Sequence, residues 1–430
     1  MEITLHHPEF ASEVVAPTSK SAAHRILIAA AFANAPSKVR ISGAGADIAA
    51  TVRCLAALGA TVTETREQDQ STWLEVLPIN SPEQNAVLDC GESGSTLRFM
   101  VPIVAALGTG ATFLRRGRLP DRPMEPLTGE LARHGVTATD NADGSLTVSG
   151  RLTPGDYAVA ANVSSQFITG LLFALSLLDA PSTLTLTGEI ESAPYIAMTV
   201  GALAAFGAAP ERAENGRLYR MAGRLSKPFR TPGALYPEGD FSGAAFPLAA
   251  GAVGKHPVTV SGLDLASSQG DMAILDLLAR FGAKVQKSPQ TGAITVSPAP
   301  LKGIAIDARQ IPDLVPILAV VAANAQGQTV ISGAARLRLK ESDRIATTAA
   351  ALRALGGKVR ETADGLIIEG GPLTGGTVEG ANDHRIVMSG AIAALTARGD
   401  VTITQTEAVS KSYPQFFELI QSSPDQKELL

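Results

Sequence analysis

Six short polar segments recur along the chain: Thr18-Ser19-Lys20-Ser21, Glu92-Ser93-Gly94-Ser95, Ser164-Ser165-Gln166, Asp240-Phe241-Ser242-Gly243, Ile311-Pro312-Asp313 and Asn382-Asp383-His384-Arg385. Each stands at or just before an apolar stretch of helical length. Ser, Thr, Asp and Asn are ordinary helix N-caps. The start of a helix also presents unbonded N–H groups and a positive dipole end, which together suit an anion. The connecting loops add cations: Arg122 in Leu119–Glu125, three basic residues in Arg338–Arg344, and Lys411 in Ser410–Pro414. A mixed charge run is more often a solvated face. With Lys20, Arg25, Arg98 and Arg385, however, the positive groups exceed what one carboxylate or phosphate needs. The matching ligands are small molecules with several negative groups, gripped two-pronged by arginine and point-wise by lysine. Asp313 and Glu341 stand among these cations. Acids there weaken simple anion binding.

These segments are positioned by a repeat. Helix-ending glycines follow one pattern at Gly59, Gly135, Gly207, Gly282 and Gly356, with spacings of 76, 72, 75 and 74 residues. Glycine takes the left-handed conformation that a helix C-cap needs. Its near-constant period marks a repeated supersecondary unit. A second apolar helix lies upstream in each copy, near 21–35, 94–107, 165–178, 242–253, 312–325 and 385–397. A strand of alternating or β-branched residues follows each: Ser37–Ser42, Ala111–Leu114, Thr183–Thr187, Pro257–Ser261, Thr329–Ser332 and Val401–Thr404. The reading is an α/β (α+β) chain of six βαβαββ-like units, three per domain. The sixth is cut short, with Tyr413–Ile420 helical. The domains are expected at 21–233 and at 1–20 plus 234–430, with a double hinge near 18–22 and 231–237, where Thr-Pro-Gly interrupts the pattern. The strand before Lys20 would then close the second domain's sheet.

Composition narrows the function classes. A chain of 430 residues suggests two domains, and 45% hydrophobic with 18% charged residues fits a globular protein. A net charge of −5 gives no general attraction to nucleic acid or anionic membranes. Two cysteines without metal-ligand spacing supply neither a disulfide framework nor a metal cluster. The N-terminus lacks a basic region followed by an apolar one, and the runs Leu171–Leu178 and Leu314–Ala323 are too short to span a membrane. A reduced, cytoplasmic enzyme is expected.

The motifs Ser19-Lys20-Ser21-Ala22-Ala23-His24-Arg25, Gly94-Ser95-Thr96-Leu97-Arg98, Asp121-Arg122-Pro123-Met124, Ser164-Ser165-Gln166, Pro312-Asp313, Lys340–Arg344, Asn382–Arg385 and Lys411 are individually weak. Their order and register within six repeats are specific. From about Pro17 to Phe417 the chain resembles the 5-enolpyruvylshikimate-3-phosphate synthase family of enolpyruvyl transferases. The resemblance implies a two-domain inside-out αβ barrel that closes on shikimate 3-phosphate and phosphoenolpyruvate. It implies a monomer without metal or cofactor, and no nucleic-acid or membrane partner. By position, Ser21, Arg25, Ser164, Ser165, Ser192, Asp313 and Lys340 would hold shikimate 3-phosphate. Arg122, Arg344, Arg385 and Lys411 would surround phosphoenolpyruvate, with Gly94 allowing close backbone approach. Lys20 and Gln166 would serve both. Asp313 is assigned to the acceptor hydroxyl proton and Glu341 to proton transfer at C3, with Lys20 as its rival. Glu92 and Ser93 stand where many members have asparagine and alanine, and Arg336 where asparagine is common.

Three other readings compete. The sister transferase acting on UDP-N-acetylglucosamine would show Lys-Asn near the N-terminus and a reactive cysteine in a loop. Here the pair is Lys20-Ser21, the loop 115–126 has no cysteine, and Cys54 and Cys90 read as unactivated. The RNA 3′-phosphate cyclases would carry a nucleotide-linked histidine and a more basic surface. A two-domain anion-binding protein without chemistry would share the cations but has no use for Asp313 and Glu341.

Overall fold

The computed structural model describes residues 1–421. Its chain divides into two compact units: Lys20–Pro237, and Met1–Ser19 together with the chain from Glu238 onward. Each encloses its own hydrophobic core.

In the first unit, Lys20–Pro237, the repeat is clearest in its second copy. Strand Ala86–Asp89 leads through helix Gly94–Leu107 to strand Ala111–Leu114, parallel to the first with Ala86 opposite Ala111. Helix Leu127–Arg133 and the hairpin Val136–Asp140/Leu146–Gly150 complete it, Leu146 lying opposite Phe113. The third copy repeats this order from Asp156–Ala160 to Leu218–Met221. The first copy opens directly on helix Lys20–Ala31, and its missing strand is Ala234–Leu235, which pairs in parallel with Ser37–Ile41. That pairing places 234–237, assigned by the expected boundary to the other lobe, within this unit.

The second unit is built the same way with its ends exchanged. Glu13–Val15 pairs in parallel with Val258–Ser261, and Glu2–Leu5 pairs antiparallel with Val401–Thr404. Glu9–Phe10 pairs antiparallel with Ile420–Gln421, so the N-terminal residues supply strands to three separate sheets. Asp313 lies on a 3-10 turn, Pro312–Leu314, and the α-helix follows at Val315–Ala323. The expected helix Tyr413–Ile420 is not formed. One 3-10 turn, Phe416–Leu419, is followed by a short strand, Ile420–Gln421. Pro414 accounts for this, since a residue before proline is driven out of the helical region.

The packing is inside-out. Every residue of Val315–Ala323 and of His384–Ala394 is buried, as is every residue of Ser165–Ser176 except Gln166. Helices apolar all round must lie in the interior. The strands are half-buried, as in Gln328–Ser332, where buried and exposed residues alternate. The sheets are open, and none closes on itself into a barrel. Among the described residues no helix is long and apolar enough to cross a membrane.

Candidate active site

The helix starts are capped as their residue types suggest. Ser164 Oγ accepts from Gln166 N at 3.2 Å, Asp240 Oδ1 from Ser242 N at 3.1 Å, and Asp383 Oδ1 from Arg385 N at 3.0 Å. Ser93 Oγ accepts from Thr96 N at 3.2 Å. Capping therefore accounts for these side chains locally, and Asp383 does more.

In the second unit a dense charge cluster forms around Arg344, whose side chain is 2% exposed. Its guanidinium grips Asp383 two-pronged, with Nε 2.8 Å from Oδ2 and Nη2 3.1 Å from Oδ1. It also lies 2.8 Å from Asp313 Oδ1 and 2.8 Å from Glu341 Oε2. Asp313 is approached by two further cations, Arg385 Nη2 at 3.4 Å and Lys340 Nζ at 3.5 Å. Arg385 Nη1 also donates to the Asp313 carbonyl at 3.2 Å. Lys411 Nζ donates to the Asn382 carbonyl at 2.6 Å, which brings it to the start of helix His384–Ala394. His384 is buried beside Asp383, with 3.8 Å between Nδ1 and Oδ1.

Burial raises the Asp313 carboxyl, but the charges of Arg385, Lys340 and Arg344 outweigh it and hold the group well below the usual carboxylate range. Asp383, fully buried, is pushed up by desolvation and brought below its usual value chiefly by Arg344. Burial lowers Arg344, yet Asp383, Glu341 and Asp313 together raise it. Asp313, Asp383 and Arg344 are therefore charged at neutral pH.

In the first unit Lys20 opens its helix, and its Nζ lies 2.8 Å from Asp47 Oδ2. Arg25 is buried without a carboxylate partner among the described residues. It donates to Thr199 Oγ1 (2.9 Å), Thr169 Oγ1 (3.1 Å) and the carbonyls of Ser21 (2.7 Å) and Tyr195 (3.1 Å). Desolvation pulls it down to about 10. Ser192 sits in the left-handed region before helix Ala193–Ala205, and its carbonyl accepts from Tyr195 N. The same turn thus reaches Arg25. Gln166, the one residue of its helix that is not buried, accepts from Arg98 Nη1 at 2.8 Å and donates to Ser95 Oγ at 2.9 Å. The Arg122 guanidinium packs on Gly94: a methyl there would lie 2.7 Å from Nη1. Glycine is required for that approach.

The structure thus brings Asp313, Lys340, Glu341, Arg344 and Arg385 into one cluster of the second unit, with Lys411 joined through Asn382. In the first unit Ser21, Arg25 and Ser192 gather at one place, Gly94 and Arg122 at another, and Gln166 beside Arg98 and Ser95. Ser165 opens its helix. Two participants carried no assigned role in the sequence reading. Asp47 holds Lys20 from the next helix, 27 residues on, and Asp383 holds Arg344 from 39 residues on. Asp47, in the first turn of its helix, had no distinct signal, and Asp383 stood in the helix-start motif Asn382–Arg385 as a cap, its partner not visible. Among the described residues no group of three or more His, Cys, Asp and Glu side chains could hold a metal ion.

Six αβ repeats with buried helices, three to a unit, define the two-domain inside-out αβ fold. The chain belongs to the EPSP synthase (3-phosphoshikimate 1-carboxyvinyltransferase) family, whose model matches residues 7–420. It is 38% identical over 419 residues to the 3-phosphoshikimate 1-carboxyvinyltransferase of Clostridium novyi, covering 95% of this chain and 94% of that one. It is 39% identical over 416 residues to the enzyme of that name from Halobacterium salinarum, covering 94% of each. Its structure is similar to that of EPSP synthase from Acinetobacter baumannii, with a TM-score of 0.77 and 26% identity over 98% of this chain and 99% of that one.

Proposed function

We propose that this protein transfers the enolpyruvyl group of phosphoenolpyruvate to the 5-hydroxyl of shikimate 3-phosphate and releases phosphate. It is a transferase of the shikimate pathway to chorismate and the aromatic amino acids, working in the cytoplasm. The observation that carries the mechanism is the Arg344 cluster, in which two carboxylates, Asp313 and Glu341, are held among cations.

The reaction is addition followed by elimination. The acceptor hydroxyl attacks C2 of phosphoenolpyruvate, C3 takes a proton, and the tetrahedral adduct loses phosphate and a proton to give the enol ether. Asp313 accepts the hydroxyl proton. Glu341 serves C3, and because its pairing with Arg344 favours the ionised form, it must take up a proton as the substrates bind. Lys20, a cation beside Asp47, is the alternative proton donor. Shikimate 3-phosphate is bound by Ser21, Arg25, Ser164, Ser165, Ser192, Asp313 and Lys340. Phosphoenolpyruvate is bound by Gly94, Arg122, Arg344, Arg385 and Lys411, with Lys20 and Gln166 in contact with both. Fixed cations around developing charge contribute most of the rate in such a site.

The cysteines favour this reading over the UDP-sugar reaction. Cys54 and Cys90 are both buried, 3.9 Å apart between sulfurs. The Cys90 thiol is pushed up by its contact with Cys54 and by burial, which opposes thiolate formation. The test is phosphate release from phosphoenolpyruvate with each acceptor in turn. Release is expected with shikimate 3-phosphate and absent with UDP-N-acetylglucosamine. The reverse pattern selects the sister reaction, and tight binding with no release selects a binding protein.

A further inference from the structure

Helix Ala46–Ala57 supplies no ligand to either substrate, yet one of its faces touches two elements that do. Asp47, Thr51 and Cys54 stand at positions i, i+4 and i+7, which share a face. Asp47 Oδ2 lies 2.8 Å from Lys20 Nζ. Thr51 Oγ1 lies 2.7 Å from His24 Nδ1, one turn beyond Lys20 on helix Lys20–Ala31. It also lies 2.8 Å from Thr96 Oγ1, in the first turn of helix Gly94–Leu107. Cys54 meets Cys90, just ahead of that helix, at 3.9 Å between sulfurs. This face therefore joins the helix that carries Lys20 to the helix start that carries Gly94.

The central contacts form a chain of hydrogen bonds with one direction. The Thr96 hydroxyl donates to Ser93 Oγ at 2.8 Å, and the other acceptor in its reach, at 3.4 Å, is the Asp47 carbonyl. A hydroxyl has one hydrogen to give, so towards Thr51 it must be the acceptor. The Thr51 hydrogen is then committed to Thr96, and Thr51 must accept from His24. His24 therefore carries its hydrogen on Nδ1. The nitrogen left buried without a partner, Nε2, is then an acceptor and not an orphaned donor. Burial, with the charges of Lys20 and Arg25, holds His24 well below its ordinary value, so the ring is neutral and has a single N–H to place. All four side chains are buried, so water does not compete for these bonds.

We infer that Thr51, with His24, is a positioning residue for phosphoenolpyruvate: the chain His24–Thr51–Thr96–Ser93 fixes the helix start at Gly94 against the helix that carries Lys20. This rests on the reading of Gly94, Arg122 and Lys20 as phosphoenolpyruvate ligands. Ser93 is also the cap of the Gly94 helix, accepting from Thr96 N at 3.2 Å, so a displaced Thr96 disturbs the cap as well. The contact it protects has no slack, since a methyl on Gly94 would lie 2.7 Å from Arg122 Nη1. Small displacements of a binding group are enough to weaken a site. The acceptor side is held by other hydroxyls. Arg25 is fixed by Thr169 and Thr199, on helices Ser165–Ser176 and Ala193–Ala205.

Two measurements on the intact protein test this. The first reads the hydrogen directly, by nuclear magnetic resonance of the protein with isotope-labelled histidine nitrogens. The His24 ring, identified by the signals that vanish in His24→Asn, should carry its hydrogen on Nδ1. A hydrogen on Nε2 breaks the one-way chain and overturns the inference. The second is steady-state kinetics with both substrates. Thr51→Val keeps the shape and removes the hydroxyl. Its KM for phosphoenolpyruvate should rise about tenfold, the scale of one lost hydrogen bond, with KM for shikimate 3-phosphate within about twofold of the parent's. Thr51→Ser restores the hydroxyl without the methyl, and should bring KM for phosphoenolpyruvate back to near the parent's even where its thermal midpoint is lower. A merely structural threonine would lower the thermal midpoint in both variants and leave both KM values alone. That result overturns the inference, as does an equal rise in KM for phosphoenolpyruvate in Thr51→Ser and Thr51→Val, and either leaves the proposed function standing. Absence of phosphate release from the parent with shikimate 3-phosphate removes the reading of the site and this inference with it.

Discussion

Asp313→Asn is expected to bind shikimate 3-phosphate within a few-fold of the parent and to lose at least ~100-fold in turnover, the usual scale for removing a general base. The substitution keeps the shape of the side chain and leaves an amide oxygen that can still accept from Arg344, now 2.8 Å from Oδ1. Arg385 Nη1 keeps its bond to the carbonyl of residue 313. What disappears is the carboxylate basicity that receives the acceptor's proton. Calorimetric titration with shikimate 3-phosphate and initial rates of phosphate release separate the two effects. A variant that turns over at the parent's rate eliminates Asp313 as the base, whatever its affinity.

The second large effect is on stability. Arg344→Leu leaves Asp383, which is 0% exposed, together with Asp313 and Glu341, without their shared partner. Removing one member of a buried ion pair costs about 3–5 kcal/mol because the remaining charge is stranded in the interior. Urea unfolding at pH 7 should show a loss of that size. The double variant Arg344→Leu/Asp383→Asn should regain much of it, since the stranded charge is gone. The pH dependence follows from the direction of the shifts. In the parent, Asp313 and Asp383 lie below their ordinary 3.8, so their contribution is fully present above that value and is lost as pH falls through the folded values. In Arg344→Leu, burial acts without the opposing arginine and the penalty is relieved as acid protonates the carboxylates. The gap between parent and variant therefore narrows from pH 7 downwards. A gap that is small at pH 7, or that widens in acid, would show that Arg344 is not the cluster's keystone cation.

Much of the architecture was legible because the repeat announces itself twice per copy. Gly59, Gly135, Gly207, Gly282 and Gly356 all adopt positive φ, as helix-ending glycines do. The buried helices were visible as long apolar runs. The return of the strand before Lys20 to the second unit was legible, and Glu13–Val15 and Glu2–Leu5 do pair there. What could not be read was the strand that completes the first unit. Ala234–Leu235 is too short to carry a pattern of its own, and only its pairing with Ser37–Ile41, some 200 residues earlier, defines it as a strand. The expected helix at Tyr413–Ile420 followed its apolar content and overlooked the constraint from Pro414.

The site shows the same division. Asp313, Glu341, Arg344 and Arg385 were visible as charged residues at helix starts or in loops, and they converge on one cluster. The electrostatic state of Asp313 was not legible, because partners 27 to 72 residues away set it. Asp271 and Asp313 differ little as letters in a sequence, each an aspartate beginning a short turn. Burial pushes the Asp271 carboxyl up to about 7, while the cations around Asp313 hold that carboxyl well below the usual range.

The most direct measurement is a crystal structure of the protein with shikimate 3-phosphate and a non-reacting mimic of phosphoenolpyruvate. The Asp313 carboxylate should lie within hydrogen-bonding distance of the acceptor's 5-hydroxyl, with the mimic's charged groups on Arg122, Arg344, Arg385 and Lys411. A mimic seated away from those four cations, or an acceptor hydroxyl out of reach of Asp313, would contradict the mechanism.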